Sequence, residues 1–253
     1  MNSLNGYGDV AVAFSGGVDS TLLLYAALEA LGREHVVVVH GVSELISERE
    51  KGSANTILDE LQIDLERRVE VALHPLIWPE FVANTQDRCY FCKKRMYQSF
   101  LRSLEKLEIQ VLLDGSNVDD LKSSRPGFRA IHELGIRTPL LDSGLNKDDI
   151  RTLASEFHLS NCSKPSNSCL ATRLPAGVQI TQEYLNAVEK YEDFLLSRDF
   201  TGCRARPEGR DMVLELSGID GNRLLTSSMR IEIIHFFQSE GFSRVLIDLI
   251  PRR

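Results

Sequence analysis

Residues 9–21, DVAVAFSGGVDST, place a short apolar run directly before a glycine turn. Residues 10–14 are typical of a strand that is buried on both faces, and a helical stretch follows the turn to about Leu31. This order forms a natural anion site, because the N–H groups and the partial positive charge of a helix N-terminus favour negative ligands. The stretch therefore predicts a buried parallel strand with a candidate phosphate site at its carboxyl end.

The glycine turn differs from two familiar nucleotide motifs. No lysine follows the glycines as in a Walker A loop, and the G-x-G-x-x-G pattern of dinucleotide-binding folds is absent from this turn. Gly16 and Gly17 allow the backbone to approach a ligand and to adopt positive φ. The residues alone leave two interpretations open: a phosphate-binding turn, or a turn whose Ser and Thr residues only cap the helix.

Strand and helix patterns alternate through the first part of the chain, and this alternation predicts parallel strands with helices on both faces. The sequence therefore predicts an α/β fold with a Rossmann-like parallel sheet. The further predicted strands are 35–42, 69–73 and 111–113, and the further predicted helices are 48–61, 96–107, a short stretch from 126 to about 134, and 147–157 with Asn146 as its cap.

A loop rich in Ser, Pro, Asn and Cys at residues 162–177 separates this part from the end of the chain. We predict two domains, 1–175 and 176–253, the second a small α+β domain. Its predicted elements are helices at 181–196, with a Thr cap, and 222–239, and strands at 212–216 and 244–249.

Composition excludes several classes of protein. The 253 residues are 43% hydrophobic and 26% charged, which is typical of a folded globular chain. The formal net charge is −7, whereas proteins that bind nucleic acids typically carry an excess of positive charge. Neither a run of about 18 apolar residues nor a signal peptide is present, so we expect no membrane insertion and a cytoplasmic location.

Three of the five cysteines have a spacing that indicates metal or sulfur chemistry. Cys89 and Cys92 lie three residues apart at the mouth of a predicted helix, where both thiols can reach one metal ion. A pair of buried cysteines and a redox dithiol are the alternatives. Cys169, in a proline-bounded loop, supplies a third candidate ligand. Cys162 and Cys203 are interpreted as small structural hydrophobes.

The turn FSGGVDS at 14–20 resembles the PP-loop of the N-type ATP pyrophosphatases, which cleave ATP between the α and β phosphates to adenylate a substrate. The resemblance implies that Asp19 positions Mg²⁺ or the loop itself. Asp119 and Asp120, after a predicted strand, are candidates for the same Mg²⁺, with an acidic surface turn as the alternative. The nucleotide-binding residues that it implies are Ser15, Gly16, Gly17, Asp19, Ser20, Thr21 and Gly115.

A longer set of motifs resembles the LarE family of ATP-dependent sulfur transferases, which make the nickel-pincer nucleotide cofactor of lactate racemase. The resemblance implies a small pyridinium nucleotide as substrate, a sulfide donor and a homo-oligomer. The motifs are the PP-loop, LDGSNVDD at 113–120, RPG at 125–127, RTPL at 137–140 followed by Lys147 and Ile150-Arg151, Lys164-Pro165, CLATR at 169–173, and the closing Gly241-Phe242 with residues 245–249.

The family that this chain resembles contains two chemical types. In one, a lone cysteine at the position of Cys169 gives up its own sulfur. In the other, three cysteines hold a [4Fe-4S] cluster with one iron left open for external sulfide. The resemblance therefore implies a cluster held by Cys89, Cys92 and Cys169, with Cys169 and Asp19 as catalytic residues, and leaves sacrifice of Cys169 as the alternative.

The phosphate of such a substrate requires cations. Arg204 and Arg206 are spaced to share one face of a strand, which suits bidentate phosphate contact, although a solvated strand edge is the alternative. Arg173 and Lys93 are further candidates. Two alternative functions remain. One is tRNA thiolation with the same cluster, which the net negative charge of the chain disfavours. The other is non-catalytic sensing of adenine nucleotides.

Overall fold

The computed structural model describes residue 4 and residues 6–122, 126–226 and 228–252. Arg125 of the RPG motif lies outside these residues. The chain divides into two compact units: Met1–Phe81 with Thr85–Lys164, and Val82–Asn84 with Pro165–Arg253. The units divide after Lys164, whereas the sequence predicts a domain boundary after residue 175.

The first unit contains a four-stranded sheet in which every strand is parallel to its neighbour, in the order β3-β2-β1-β4. This confirms the predicted α/β fold. The strands are β1 (Val10–Ala13), β2 (Val36–Val42), β3 (Arg68–Ala72) and β4 (Val111–Leu113), and the helices up to residue 156 are α1 (Val18–Leu31), α2 (Glu48–Glu60), α3 (Pro79–Val82), α4 (Arg88–Glu105), α5 (Asp119–Lys122), α6 (Pro126–Glu133), α7 (Pro139–Asp142) and α8 (Lys147–Glu156).

The central strand β1 is apolar along its whole length because helices cover the sheet on both faces. Val10, Ala11 and Val12 are fully buried, and Leu22, Leu23 and Leu24 of α1 are buried with them. Val10 pairs with Val36 of β2 on one side and with Val111 of β4 on the other. The carboxyl end of β1 therefore delivers the glycine turn to the middle of the sheet edge.

The second unit is a small α+β module whose three strands lie in the order β5-β6-β7. Its core is rich in aromatic residues, with Phe200 and Phe237 fully buried. Thr181 caps the first helix by accepting a hydrogen bond from the Tyr184 N–H. The elements are α9 (Gln182–Leu196), β5 (Arg204–Glu208), β6 (Asp211–Glu215), α10 (Gly218–Thr226), α11 (Met229–Ser239) and β7 (Arg244–Ile247), and a 3₁₀ turn covers Leu170–Arg173.

A short segment from earlier in the chain joins the second unit through backbone and side-chain hydrogen bonds. Asn84 donates from Nδ2 to the carbonyls of Pro175 and Val178, both at 2.8 Å. The Ile180 N–H donates to the carbonyl of Val82 at 3.1 Å. These bonds explain why Val82–Asn84 belong to this unit. Within the described residues, none of the helices combines the length and the apolar character needed to traverse a bilayer.

Three predicted elements are wrong in extent, and one strand has no predicted bounds. The helix predicted at 96–107 begins at Arg88, since the polar and cysteine residues of its first turns hide the apolar spacing. The helix predicted at 222–239 is two helices, of which the first begins earlier, at Gly218, and the second begins at Met229 after Ser228 as its N-cap. The last strand ends at Ile247, where Asp248 turns the chain by accepting a hydrogen bond from the Ile250 N–H. Strand β5 lacks an apolar run, so the spacing of Arg204 and Arg206 indicates a strand there without predicting its bounds.

Candidate functional site

The glycine turn after β1 has a conformation that only glycine adopts without strain at its first position. Gly16 has φ +72°, in the left-handed region. A Cβ atom at this position would lie 2.9 Å from the Cβ of Ala54 in α2. Glycine is therefore required at position 16 for two reasons: the positive φ and the close approach of α2.

The hydroxyl groups of the turn fix its shape from inside. Ser20 Oγ and Thr21 Oγ1 both donate to the carbonyl of Gly17 at 3.0 Å, and Ser15 N–H donates to Ser20 Oγ at 3.3 Å. Gly17 is the N-cap of α1 and has no side chain to cap the helix, while its own N–H donates to Ser15 Oγ at 3.4 Å. An uncapped helix N-terminus with buried hydroxyls beside it is suited to an anionic ligand.

Asp19, in the first turn of α1, forms an ion pair that the sequence did not reveal. Lys147 Nζ lies 2.6 Å from Asp19 Oδ2, and the two side chains are about one quarter exposed. Asn117 Nδ2 lies 3.4 Å from Asp19 Oδ1. Lys147 begins α8 directly after Asn146, which forms the predicted cap as part of a capping box with Asp149. We assigned Lys147 no role from the sequence.

The end of β4 lies against the glycine turn. A Cβ atom at Gly115 would lie 3.1 Å from the Ser20 nitrogen, so glycine is needed for this approach. The preceding Asp114 is buried and accepts hydrogen bonds from the Tyr97 hydroxyl and from the N–H and hydroxyl of Ser116. Lys93 Nζ lies 3.6 Å from Asp114 Oδ2. Lys93, a predicted phosphate ligand, is therefore one partner of this buried carboxylate.

Burial and charge act in opposite directions on Asp114. Burial raises the pKa of Asp114, but the positive charge of Lys93 and the hydrogen bonds from Ser116 and Tyr97 outweigh it and lower the pKa below its usual value. The pKa of Tyr97 is raised well above its usual value, because burial and the Asp114 charge disfavour the phenolate. The pair is therefore a carboxylate with a neutral phenol at neutral pH.

Asp119 and Asp120 begin α5 and both accept backbone hydrogen bonds. Asp119 Oδ2 accepts from the Lys147 N–H at 2.8 Å, and Asp120 Oδ2 accepts from the Asn117 N–H at 3.0 Å. These bonds fix the turn after β4 beside the Asp19–Lys147 pair. Within the described residues, the structure gathers no group of three His, Cys, Asp or Glu side chains that can hold a metal ion.

Cys89 and Cys92 lie in the first two turns of α4, three residues apart. Cys89 is exposed and Cys92 is half-buried. Arg88 Nη2 lies 3.7 Å from Cys89 Sγ, which places a positive charge beside the sulfur. A pair of thiols at i and i+3 of a helix start, one of them open to solvent, is chemically suited to ligate one thiophilic metal centre.

Cys169 lies in the second unit, directly before the 3₁₀ turn Leu170–Arg173. Its carbonyl accepts hydrogen bonds from the Thr172 N–H at 3.0 Å, the Thr172 hydroxyl at 2.8 Å and Arg173 Nη1 at 3.1 Å. Within the loop that the sequence predicts for 162–177, the backbone at Cys169 is therefore held by a defined turn.

The guanidinium of Arg173 donates the hydrogen bonds that hold this turn. It is 1% exposed and makes a two-pronged contact with Glu192 of α9, with Nε 2.7 Å from Oε1 and Nη2 3.0 Å from Oε2. The remaining donors reach the Ser168 carbonyl at 2.7 Å and Asn167 Oδ1 at 3.0 Å. In this structure the guanidinium, a predicted phosphate ligand, is surrounded by acceptors of its own unit.

Arg204 and Arg206 lie on β5 at the spacing that the sequence predicts, beside Glu215 of β6. Arg206 donates to Glu215 and to the Thr172 carbonyl, while Arg204 Nη1 lies 3.7 Å from Glu215. Arg204 Nε is buried and has no hydrogen-bond partner among the described residues. Burial and the charges of Arg252 and Arg173 lower the pKa of Arg204 to about 10.

Arg204 and Arg206 are half-buried, and positive charge that is partly removed from water is costly unless an anion lies beside it. Arg252 belongs to the same group, since burial and Arg173 lower its pKa as well. It donates to the carbonyls of Gly202 and Ser166. Arg252 is not a candidate from the sequence, because it is separated from β5 by more than forty residues.

Comparison with known proteins decides the family. No protein-family model matches the chain. It is 32% identical over 240 residues to the pyridinium-3,5-bisthiocarboxylic acid mononucleotide synthase of Lactiplantibacillus plantarum, covering 95% of this chain and 85% of that protein. The chain belongs to the LarE family.

Two uncharacterized proteins show similarity to this LarE-family chain at comparable levels. A protein of Synechocystis is 32% identical over 238 residues, with 94% of this chain and 87% of that protein covered. A protein of Methanocaldococcus jannaschii is 30% identical over 240 residues, with 95% and 89% covered. The similarity therefore extends through both units of the chain and does not stop at the glycine turn.

The predicted residues of this LarE-family member fall into two groups, one in each unit. The glycine-turn residues, Gly115, Asp119 and Asp120 lie around the carboxyl ends of β1 and β4. Cys89, Cys92 and Lys93 lie on α4 of the same unit. Cys169, Arg173, Arg204 and Arg206 belong to the second unit.

The Arg173–Glu192 pair gives a prediction for stability. Replacing Arg173 by Met leaves the Glu192 carboxylate, whose side chain is 3% exposed, buried without its partner. We expect a loss of about 3–5 kcal/mol in the free energy of unfolding. Urea unfolding followed by far-ultraviolet circular dichroism measures it.

The matched control is Lys190→Met, which removes an exposed ion pair from the same helix. We expect this change to cost less than about 1 kcal/mol. Equal stability of the two variants would contradict a structural role for the Arg173 pair.

Proposed function

We propose that this protein is an ATP-dependent sulfur transferase that converts pyridinium-3,5-biscarboxylic acid mononucleotide into the bisthiocarboxylic acid product. The observation that carries the proposal is the identity of 32% over 95% of the chain to a synthase of that product. The glycine turn and the buried arginine group supply, in addition, two sites of the kind that ATP and a phosphate-bearing substrate require.

The first step is activation of a carboxylate. A carboxylate resists attack by sulfide because its leaving group would be oxide. Its oxygen attacks the α-phosphorus of ATP, an acyl-AMP forms, and pyrophosphate leaves. Backbone N–H groups at the start of α1 and the exposed Ser15 hydroxyl bind the departing pyrophosphate, while the hydroxyls of Ser20 and Thr21 hold the turn in shape through the Gly17 carbonyl.

Asp19 and Lys147 act beside this pyrophosphate. Asp19 is the carboxylate that would hold Mg²⁺, with Asp119 and Asp120 as further oxygen donors, since Mg²⁺ prefers carboxylate and phosphate oxygens. Lys147 is 2.6 Å from Asp19 and neutralises that carboxylate. The pair thus links nucleotide binding to the start of α8.

The second step is sulfur transfer. Sulfide attacks the acyl carbon, the bond to AMP breaks, and a thiocarboxylate and AMP are released with one proton. Cys89, Cys92 and Cys169 are the thiols that would hold a [4Fe-4S] cluster, and such a cluster would supply the sulfide for this step. Thiol ligands fit this group, and the exposed Cys89 leaves access for sulfide from solution. A second round treats the other carboxylate.

Arg204 and Arg206 bind the phosphate of the substrate in this proposal. Arg204 Nε lacks a partner among the described residues although it is buried, and its pKa is lowered to about 10. A phosphate dianion would supply both the missing acceptor and the missing negative charge. Arg173 holds the turn that carries Cys169, and Lys93 balances Asp114.

The arginine group gives a prediction for kinetics. Replacing Arg204 by Gln should raise the KM for the pyridinium nucleotide about 10- to 100-fold, because one charge-assisted hydrogen bond is lost. The kcat at saturating substrate should change little, since the phosphate is remote from the reacting carboxylate. Steady-state kinetics of pyrophosphate release measures both constants.

The control for Arg204 is Arg244→Gln. Arg244 is exposed and pairs with Asp211 at the edge of the same sheet, outside the arginine group. We expect its KM to match that of the wild-type protein. An unchanged KM for Arg204→Gln would remove β5 from the substrate site.

One experiment tests the proposed function as a whole. The protein, prepared without oxygen, is incubated with ATP, Mg²⁺, sulfide and pyridinium-3,5-biscarboxylic acid mononucleotide, and the small molecules are analysed by mass spectrometry. We expect the mono- and bisthiocarboxylic acids together with AMP and pyrophosphate. Absence of thiocarboxylate despite binding of ATP would favour the nucleotide sensor, and thiolated tRNA formed in place of these products would favour the RNA-modifying rival.

A further inference from the structure

Asn161 lies beneath the glycine turn, although it is 140 residues further along the chain. Its side chain is buried, with 6% of the residue exposed. Nδ2 donates two hydrogen bonds, to the Gly16 carbonyl at 3.2 Å and to Thr21 Oγ1 at 2.9 Å. One amide group therefore joins the first glycine of the turn to the first turn of α1.

The direction of these bonds is fixed by the neighbouring groups. Thr21 Oγ1 donates its hydrogen to the Gly17 carbonyl, so its oxygen has to accept from Asn161. The Gly16 carbonyl can only accept. The NH₂ end of the amide therefore faces the turn, and the opposite orientation would set oxygen against oxygen at Gly16.

Hydrogen bonds from the protein also occupy the carbonyl oxygens of the turn. The Gly16 carbonyl is held by Asn161, and the Gly17 carbonyl is held by the hydroxyls of Ser20 and Thr21. An anion that approaches the turn is repelled by any carbonyl oxygen that faces it and is attracted by N–H groups. Holding both oxygens on protein donors favours the N–H groups as the surface that meets the ligand.

The oxygen of the Asn161 amide indicates that this residue is not explained by the stability of the fold alone. Asn161 Oδ1 is buried and has no hydrogen-bond partner among the described residues. A buried polar atom without a partner costs free energy, and such atoms in native proteins call for an explanation. The unsatisfied oxygen is the cost of placing two donors against the turn.

We propose that Asn161 is a positioning residue that sets the glycine turn in its anion-binding conformation. The inference rests on the proposed function, because the anion is the pyrophosphate part of ATP. Asn161 acts on the ligand through Gly16 and Thr21 and does not itself touch ATP. No feature of the sequence around residue 161 indicates this role.

The test compares pyrophosphate binding by the wild-type protein and by Asn161→Asp, with Mg²⁺ present, using isothermal titration calorimetry. Aspartate has the shape of asparagine but sets a charged acceptor against the Gly16 carbonyl and Thr21. At mildly alkaline pH we expect the Kd for pyrophosphate to rise about tenfold or more. As the pH falls, the aspartic acid regains one O–H donor, and binding should recover relative to the wild-type protein at the same pH.

This pH-dependent recovery separates positioning from general damage to the fold. Asn186→Asp is the matched control, because Asn186 lies on the exposed face of α9 with Gln182 as its partner. We expect the Kd of this control to equal that of the wild-type protein at every pH. Circular dichroism of each variant verifies that it is folded.

Asn161→Ala removes both donors without adding charge, and it decides the matter if Asn161→Asp does not fold. We expect the same weakening without recovery at low pH. A folded variant at this position whose Kd stays within about twofold of wild type at every pH would overturn the inference. Failure of the wild-type protein to bind pyrophosphate or ATP would instead overturn the proposed function.

Discussion

Asp19→Asn should release pyrophosphate from ATP about 100-fold more slowly than the wild-type protein, or more slowly still. The amide keeps the shape of the carboxylate but loses its negative charge, so the Lys147 ion pair at 2.6 Å is broken and the oxygen that would hold Mg²⁺ is weakened as a donor. Asp19 stands in the first turn of α1, where the pyrophosphate is proposed to bind. A coupled assay of pyrophosphate release with the pyridinium dicarboxylate measures the effect.

The matched control for this prediction is Asp9→Asn. Asp9 lies at the opposite end of β1, where it pairs with His35 at 2.8 Å in an exposed position. The same chemical change there should leave pyrophosphate release unaltered. Iron content of Asp19→Asn should equal that of the wild-type protein, because Asp19 is not a thiol ligand. Unchanged pyrophosphate release by Asp19→Asn would remove the glycine turn from the reaction.

The fold of the first unit could be predicted from short patterns in the sequence. The apolar run at 10–14 is typical of a strand covered on both faces, and the glycines after it favour a tight turn. Gly16 has the positive φ that such a turn requires, and its contact with Ala54 shows how closely α2 approaches. The fold class follows from repeating this strand–helix pattern, and the parallel sheet confirms it.

Partners that are distant in sequence could not be predicted in the same way. Lys147 and Asp19 are 128 residues apart, and Asn161 and Gly16 are 145 apart. Their contacts depend on where α8 and the segment after it pack against α1. A lysine after a helix cap and an asparagine in a polar loop are both common on protein surfaces, so neither residue type signals its role.

Arg173 illustrates a second limit. Its place in the CLATR motif suggested a ligand for the substrate, since arginine commonly binds phosphate. The structure buries it against Glu192, a residue of α9 that an isolated helix pattern would place on the solvent face because it is charged. Burial of a paired charge is decided by the packing of the whole unit and not by the residues next to it in sequence.

Cys89→Ser should lose most of its iron after anaerobic reconstitution with iron and sulfide, whereas the wild-type protein should hold about four iron atoms per chain. Serine keeps the size of the side chain but replaces the thiolate that a cluster requires. Cys92→Ser and Cys169→Ser should behave alike, since three ligands act as one set. Iron is measured by elemental analysis, with the visible absorption of the cluster as a second reading.

The matched control is Cys162→Ser, because Cys162 is half-buried against the core of the first unit and belongs to no proposed ligand set. Its iron content should equal that of the wild-type protein. Full iron in Cys89→Ser would refute the three-thiol assignment. Intact mass after turnover then separates the two sulfur sources: an unaltered Cys169 agrees with external sulfide on a cluster, whereas loss of H₂S from that residue means that the protein itself is the donor. Because the first outcome permits many product molecules per chain and the second at most one sulfur atom, the ratio of thiocarboxylate to protein must agree with the mass.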